Sequence, residues 1–129
     1  MNLPADLKYT KDDSWVRVQG TTATVGLTDY AVEQLSDIVD VELPAVGRAF
    51  KQGERYGGVE SVKAASDLCL VARGTITAVN EALRKEPGSV NADPYGTGWL
   101  IRLTLADPAE LGGLMDAAAY ERYCKGRQH

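Results

Sequence analysis

Residues 57–68 read GGVESVKAASDL, and one residue in this stretch, Lys63, asks for an explanation. It stands between Val62 and Ala64 with no basic neighbour, and its nearest charges are the acidic Glu60 and Asp67. Ser61 to Asp67 is small and polar apart from Val62, the composition of an exposed turn. Arg55–Glu60 leads into it and Leu68–Ala72 leads away, each with the residues of a strand. The stretch therefore predicts a hairpin with a lysine at its tip. A catalytic amine needs a lowered pKa, from burial or from neighbouring cations, and both nearby charges here favour the ammonium form. An attachment point needs the opposite surroundings: an accessible amine, a rigid backbone and small neighbours. On local composition alone a solvated turn lysine accounts for Lys63 at least as well.

The same period-2 pattern extends in both directions. Trp15–Val18 and Ala23–Gly26 flank Gln19-Gly20-Thr21 as a hairpin. Val39–Leu43 alternates and stops at Pro44, which cannot donate to a ladder, and Ala45–Gly47 follows as a turn. Gly74–Val79 and Trp99–Leu105 supply two further strands. Thr28 and Asp29 cap a short helix through Leu35. Asp107-Pro108-Ala109-Glu110 is a helix start with Glu110 reaching back, Leu111, Leu114 and Met115 on one face, and Gly112-Gly113 keeping it short. Asp116 caps a second helix over Ala117–Cys124, ended by Gly126. The expected fold is mainly β: a sandwich or flattened barrel of antiparallel hairpins with one short internal helix and C-terminal helices. Residues 1–129 form one domain, without linker or internal repeat.

Composition narrows the chemistry. A chain of 129 residues can bury ~65–70% of its unfolded surface in one core. With 25% charged residues, a net charge of -4 and no basic cluster, neither nucleic acid nor an anionic membrane is an expected partner. The segment from Met1 to Asp6 has no apolar run, so no signal peptide or membrane span is read there. Cys69 and Cys124 lack CxxC spacing and read as free thiols of a reducing, cytoplasmic compartment. The single histidine is His129, so no histidine-based triad or metal site is expected. No phosphate-binding glycine loop occurs; Gly96-Thr97-Gly98 lacks the third glycine of a dinucleotide fingerprint. The chain does not read as an enzyme.

A wider pattern selects among the readings of Lys63. "DIVDVELPAVG", "VESVKAASD" and "NADPYGTGWLIRL" occur in order, between "LKYTKDDSW" and "LMDAAAYERY". In this order they resemble the glycine cleavage system H-protein family, whose members carry a covalent lipoyl group on the lysine of this turn. The resemblance implies a lipoyl-domain-like fold and lipoate on Lys63, with Glu60 and Asp67 displaying the turn. It also implies a cleft near the arm that includes Asp13, Ser14, Tyr30 and Gln34. Implied partners are a lipoate ligase or lipoyl transferase and a dihydrolipoamide dehydrogenase, with the carrier working as a monomer.

The departures from the family bear on pathway. Members typically have His-Glu before the first-strand tryptophan, where this chain has Asp13-Ser14 before Trp15. The glutamate at the position of Ser14 belongs to the cleft, and a carboxylate is the natural partner of a cationic aminomethyl group. Asp12 and Asp13 are near, but a strand would send successive side chains to opposite faces. Gln34 replaces a histidine found in some members. "LCLVARG" is also atypical, with Cys69 read as a small core residue or, alternatively, as a thiol that exchanges with the arm. Loss of the cleft carboxylate tilts the reading slightly toward an H-protein-like carrier serving a heterodisulfide-reductase-like complex in bacterial sulfur oxidation. The alternative is the glycine cleavage H protein itself, working with glycine decarboxylase and aminomethyltransferase.

Overall fold

The computed structural model describes residues 2–127; His129, the chain's only histidine, lies outside the described residues. The elements run in the order β1 (Lys8–Tyr9), β2 (Ser14–Gln19), β3 (Thr22–Leu27), α1 (Asp29–Leu35), β4 (Ile38–Glu42), β5 (Ala49–Phe50) and β6 (Arg55–Ser61). They continue with β7 (Ala65–Cys69), β8 (Gly74–Val79), α2 (Ser89–Ala92), β9 (Ile101–Leu105) and α3 (Ala117–Arg127), with 3-10 turns at Glu81–Arg84 and Pro108–Leu111. Two antiparallel sheets result, β1-β2-β3-β9-β8-β5 and β4-β6-β7. They form an unclosed sandwich with few helices. Among the described residues no helix is long and apolar enough to cross a membrane.

Each hairpin follows from local sequence. Gln19 pairs with Thr22, so the β2–β3 turn is Gly20-Thr21, with Gly20 at φ 65, where a side chain would be strained. Between the sheets lies an aliphatic core that includes Val16, Val25, Val41, Val59, Leu68, Ile76 and Leu103. A second, aromatic cluster of Tyr9, Trp15, Tyr30, Tyr95 and Tyr120 joins β1 and β2 to α1 and α3. Tyr9 stacks on Tyr120 with ring centroids 4.9 Å apart, and the Trp15 Nε1 donates to the Pro94 carbonyl. Gly26 is obligatory beside this cluster, since a Cβ there would lie 2.6 Å from the Trp15 ring.

Three expectations need correction. The segment Ala65–Asp67 is not turn but the start of β7, which ends at Cys69 rather than Ala72. The segment after Asp107 is a single 3-10 turn; Asp107 caps it through Ala109 N–H, but the Glu110 carboxylate leaves the turn to bind Arg73 at 2.7 Å. Leu114 and Met115 are past its end, and Met115 bridges to Tyr9. Finally, Gly126 does not stop the last helix, which runs to Arg127.

Ser36, at the C-terminal end of α1, has φ 65 and ψ -151, a region that essentially only glycine occupies without strain. Ser36→Gly is therefore expected to stabilise the fold by about 1 kcal/mol, since relief of strain exceeds the entropy that glycine adds to the unfolded chain. Urea unfolding checks this: the midpoint rises while the slope is unchanged.

Candidate functional site

Strands β6 and β7 pair up to Glu60 and Ala65, leaving Ser61-Val62-Lys63-Ala64 as the reversal. Ser61 organises it. Its backbone N–H donates to the Ala64 carbonyl at 2.8 Å, and its buried hydroxyl accepts from the N–H groups of Lys63 (3.1 Å) and Ala64 (2.9 Å). The same hydroxyl lies 3.0 Å from the Ala64 carbonyl and donates to it. Val62 N–H reaches the Asp37 carbonyl at 3.0 Å, tying the tip to the chain entering β4. The turn is thus pinned by five hydrogen bonds while the Lys63 side chain is exposed. Among the described residues Lys63 forms no ion pair.

The two acidic residues that flank the turn occupy different settings. Asp67 belongs to β7, where the Arg55 guanidinium donates to it at 2.8 Å while also gripping Glu42 at 2.7 Å. That hydrogen bond holds the Glu42 carboxyl below the usual carboxylate range. Glu60 is exposed and stands opposite Asp40 across the β4–β6 ladder, so two like charges face each other beside the lysine turn.

A groove of about 210 Å³ follows β7 from Ser66 to Cys69. Its far side is Leu27 with Ala31, Gln34 and Leu35 of α1, and the residues Asp12-Asp13-Ser14 line it as well. Apolar and carboxylate groups therefore share one depression beside the strand that descends from Lys63. Of the expected cleft residues, Asp13, Ser14 and Gln34 line this groove, together with Asp67. Tyr30 does not: it packs in the aromatic cluster, 4.4 Å beneath the Arg127 guanidinium. Tyr30 lies one helical turn before Gln34, at the edge of the face that Ala31, Gln34 and Leu35 share, and its ring packs among the aromatic residues instead. Cys69 is half-buried on the groove wall and is not a core residue.

The two aspartates depart from expectation in a way that matters. Strand β2 begins only at Ser14, so strand alternation does not govern Asp12 and Asp13. Asp13 adopts φ 66, and Asp12, Asp13 and Ser14 all line the groove. Asp13 is spoken for, since Arg127 donates to its carboxylate at 2.6 and 3.3 Å and the Tyr120 hydroxyl donates at 2.7 Å. Burial first, and then this contact with Asp13, push the Tyr120 phenol well above its ordinary value. Asp12 is exposed, lines this end of the groove and, among the described residues, forms no ion pair. Arg127, Tyr120, Arg55 and Ser61 are contributors that the sequence pattern did not mark. Among the described residues no metal-binding cluster of His, Cys, Asp or Glu occurs.

The family model for the glycine cleavage H-protein matches residues 7–127. A glycine cleavage system H protein of Symbiobacterium thermophilum is 52% identical over 124 residues, covering 96% of this chain and 97% of that protein. One from Bacteroides thetaiotaomicron is 50% identical, covering 98% and 100%. The crystal structure of a glycine cleavage system H protein from Mycobacterium marinum superposes with a TM-score of 0.86 at 38% identity, covering 94% of this chain and 98% of that one. These relatives do not support the sulfur-oxidation reading. Its physical motive assumed that alternation keeps the neighbouring aspartates away, whereas Asp12, Asp13 and Ser14 all line the groove.

Ser61→Ala removes the shared acceptor of two turn amides, which costs about 1 kcal/mol locally. Hydrogen exchange at the Lys63 and Ala64 amides is expected to accelerate roughly fivefold, with the core amides of β8 and β9 unchanged.

Proposed function

The chain belongs to the glycine cleavage H-protein family, and on that footing we propose that Lys63 is its lipoyl attachment site and glycine cleavage its pathway. Proteins of this family carry lipoate covalently on a lysine and act as carriers, not as catalysts. The residues present fit such a group. An exposed amine without an ion-pair partner sits on a pinned turn, and the adjoining groove combines Leu27, Ala31, Leu35 and Leu68 with carboxylate and amide groups. When bound, lipoate supplies a redox-active disulfide on a long flexible tether.

The chain's own residues perform three tasks in this reading. Ser61 and Val62 hold the turn in one shape, so that a lipoate ligase or lipoyl transferase can select Lys63 over the other five lysines. Glu60 and Asp67 flank that turn with negative charge and aid its recognition. The groove's apolar residues exclude water, while Asp12, Ser14 and Gln34 receive the polar end of the guest. Asp12 supplies the negative charge that a small cationic amine needs, in place of the carboxylate absent at Ser14. Partners on this reading are a glycine decarboxylase, an aminomethyltransferase, a dihydrolipoamide dehydrogenase and the lipoylating enzyme. The observation that carries the proposal is half-identity to glycine cleavage H proteins over nearly the whole chain, together with the groove carboxylate.

Co-expression with a lipoate ligase should raise the intact mass by one lipoyl group, and Lys63→Arg should abolish both that increase and glycine-dependent carbon dioxide exchange with a glycine decarboxylase. Mapping of the group to Lys8, Lys51 or Lys85 would overturn the assignment. In the same exchange assay Asp12→Asn is expected to lower the rate roughly threefold, the scale of a partly exposed ion pair, and Ser14→Glu to restore it in that background.

A further inference from the structure

The two sheets turn opposite faces to solvent, and the two faces carry opposite charge. Val16, Val25 and Leu103 meet Val41, Val59 and Leu68 in the core, so the alternate residues of each strand point outward. On the three-stranded sheet the outward rows are Asp40–Glu60–Ala65 and Glu42–Gly58–Asp67, with Arg55 bridging the second. On the six-stranded sheet one outward row is Arg17–Thr24–Arg102, and the next is Gln19–Thr22–Thr104–Thr75. Neither of these two rows holds an acidic residue, in a chain whose net charge is -4.

Both arginines of that row are held in place yet have no charged partner. The Arg17 guanidinium lies 5.2 Å from the Trp15 ring centroid and 3.5 Å from the Tyr95 carbonyl, and that of Arg102 lies 4.3 Å from the Trp99 ring. Trp15 is buried and Trp99 packs against the aromatic cluster, so the two platforms are fixed. Among the described residues neither arginine forms an ion pair. Asp93, in the segment leading to Tyr95, is turned to the backbone N–H and hydroxyl of Thr97. Arg17 and Arg102 stand two strands apart with Thr24 between them, about 10 Å by ladder spacing. A guanidinium already laid on an indole loses little freedom when a carboxylate arrives, and arginine and tryptophan are the residues that anchor protein interfaces.

We propose that this half of the outer face, Arg17, Thr24 and Arg102 with the threonine row beside them, docks a partner protein through a surface that carries carboxylates. Two carboxylates spaced like the guanidiniums would each be met by a fork of N–H donors, and the threonine hydroxyls would serve the uncharged groups around them. The same acidic surface would be repelled by the carboxylates beside Lys63, so charge alone fixes which side of the carrier it meets. A partner held here leaves the lysine turn, across the core, free for another enzyme. The inference builds on the reading of the chain as a glycine cleavage carrier, which supplies the partners to be tried.

The test measures binding of the full lipoylated chain to purified glycine decarboxylase, aminomethyltransferase and dihydrolipoamide dehydrogenase, by biolayer interferometry at low and high salt. At least one of the three should bind with an affinity that falls as salt rises. Arg17→Gln combined with Arg102→Gln should weaken that binding roughly tenfold and flatten its salt dependence. Arg102→Lys keeps the charge but not the fork, and should fall between wild type and Arg102→Gln. Lys85→Gln removes a charge after the 3-10 turn that packs on β4, away from this face, and should leave the affinity unchanged. The loss in the double variant should be equal in the unlipoylated chain, because the face does not include the arm. Circular dichroism of the double variant and its lipoylation by a ligase should match the wild type. Undiminished binding by the double variant overturns the docking face alone. Failure of the wild-type chain to bind any of the three enzymes overturns both the docking face and the glycine cleavage reading. Salt-sensitive self-association of the chain, lost in the double variant, would make a second copy the occupant and overturn the proposal as well.

Discussion

Four residues must reverse the chain at the tip of β6 and β7 and still find partners for their backbone groups, and the lysine turn depends on how that is done. Side-chain hydroxyls can stand in for a backbone acceptor across two or three residues. Ser61 does so twice, for Lys63 and Ala64, while Asp37 supplies an acceptor for Val62. With the backbone so occupied, the lysine side chain has no structural duty. It is accessible because the turn beneath it is complete without it.

Much of this was legible in the sequence, and the limits have physical causes. The two-residue turn at Gly20-Thr21, the Thr28 cap and the strand Gly74–Val79 follow from local rules of φ, capping and alternation. The lysine hairpin was legible too, but its turn was read too long. Ala65-Ser66-Asp67 is small and polar on an exposed edge strand, and composition does not separate that from a turn. The groove was harder to read because its parts are assembled by contacts remote in sequence. Asp12 enters it through a left-handed turn at Asp13 that no local pattern announces, since aspartate adopts that conformation only when its surroundings hold it there. The continuation of α3 past Gly126 has a similar origin, as Arg127 is held by a carboxylate 114 positions earlier.

The reading of pathway shows how a single substitution can mislead. Serine at position 14 looks like the loss of a charge when the segment is taken as a strand with alternating faces. Once Asp12 and Asp13 belong to a turn, three consecutive residues line one depression, and two of them are acidic. Side-chain identity at one aligned position was a poor measure of what the groove contains.

The lysine turn and the groove also differ in how they can form. Contacts that define the turn lie within residues 37–69, a span that two hairpin strands and one neighbour complete. On one side of the groove, Asp13 is joined to Tyr120 and Arg127, which are 107 and 114 positions away. Long-range closure is slow compared with local pairing, and synthesis from the N-terminus delivers α3 last. A nascent chain therefore completes the lysine turn before the Asp13 side of the groove is in place. The exposed turn and the enclosed groove are separated in time by the topology alone.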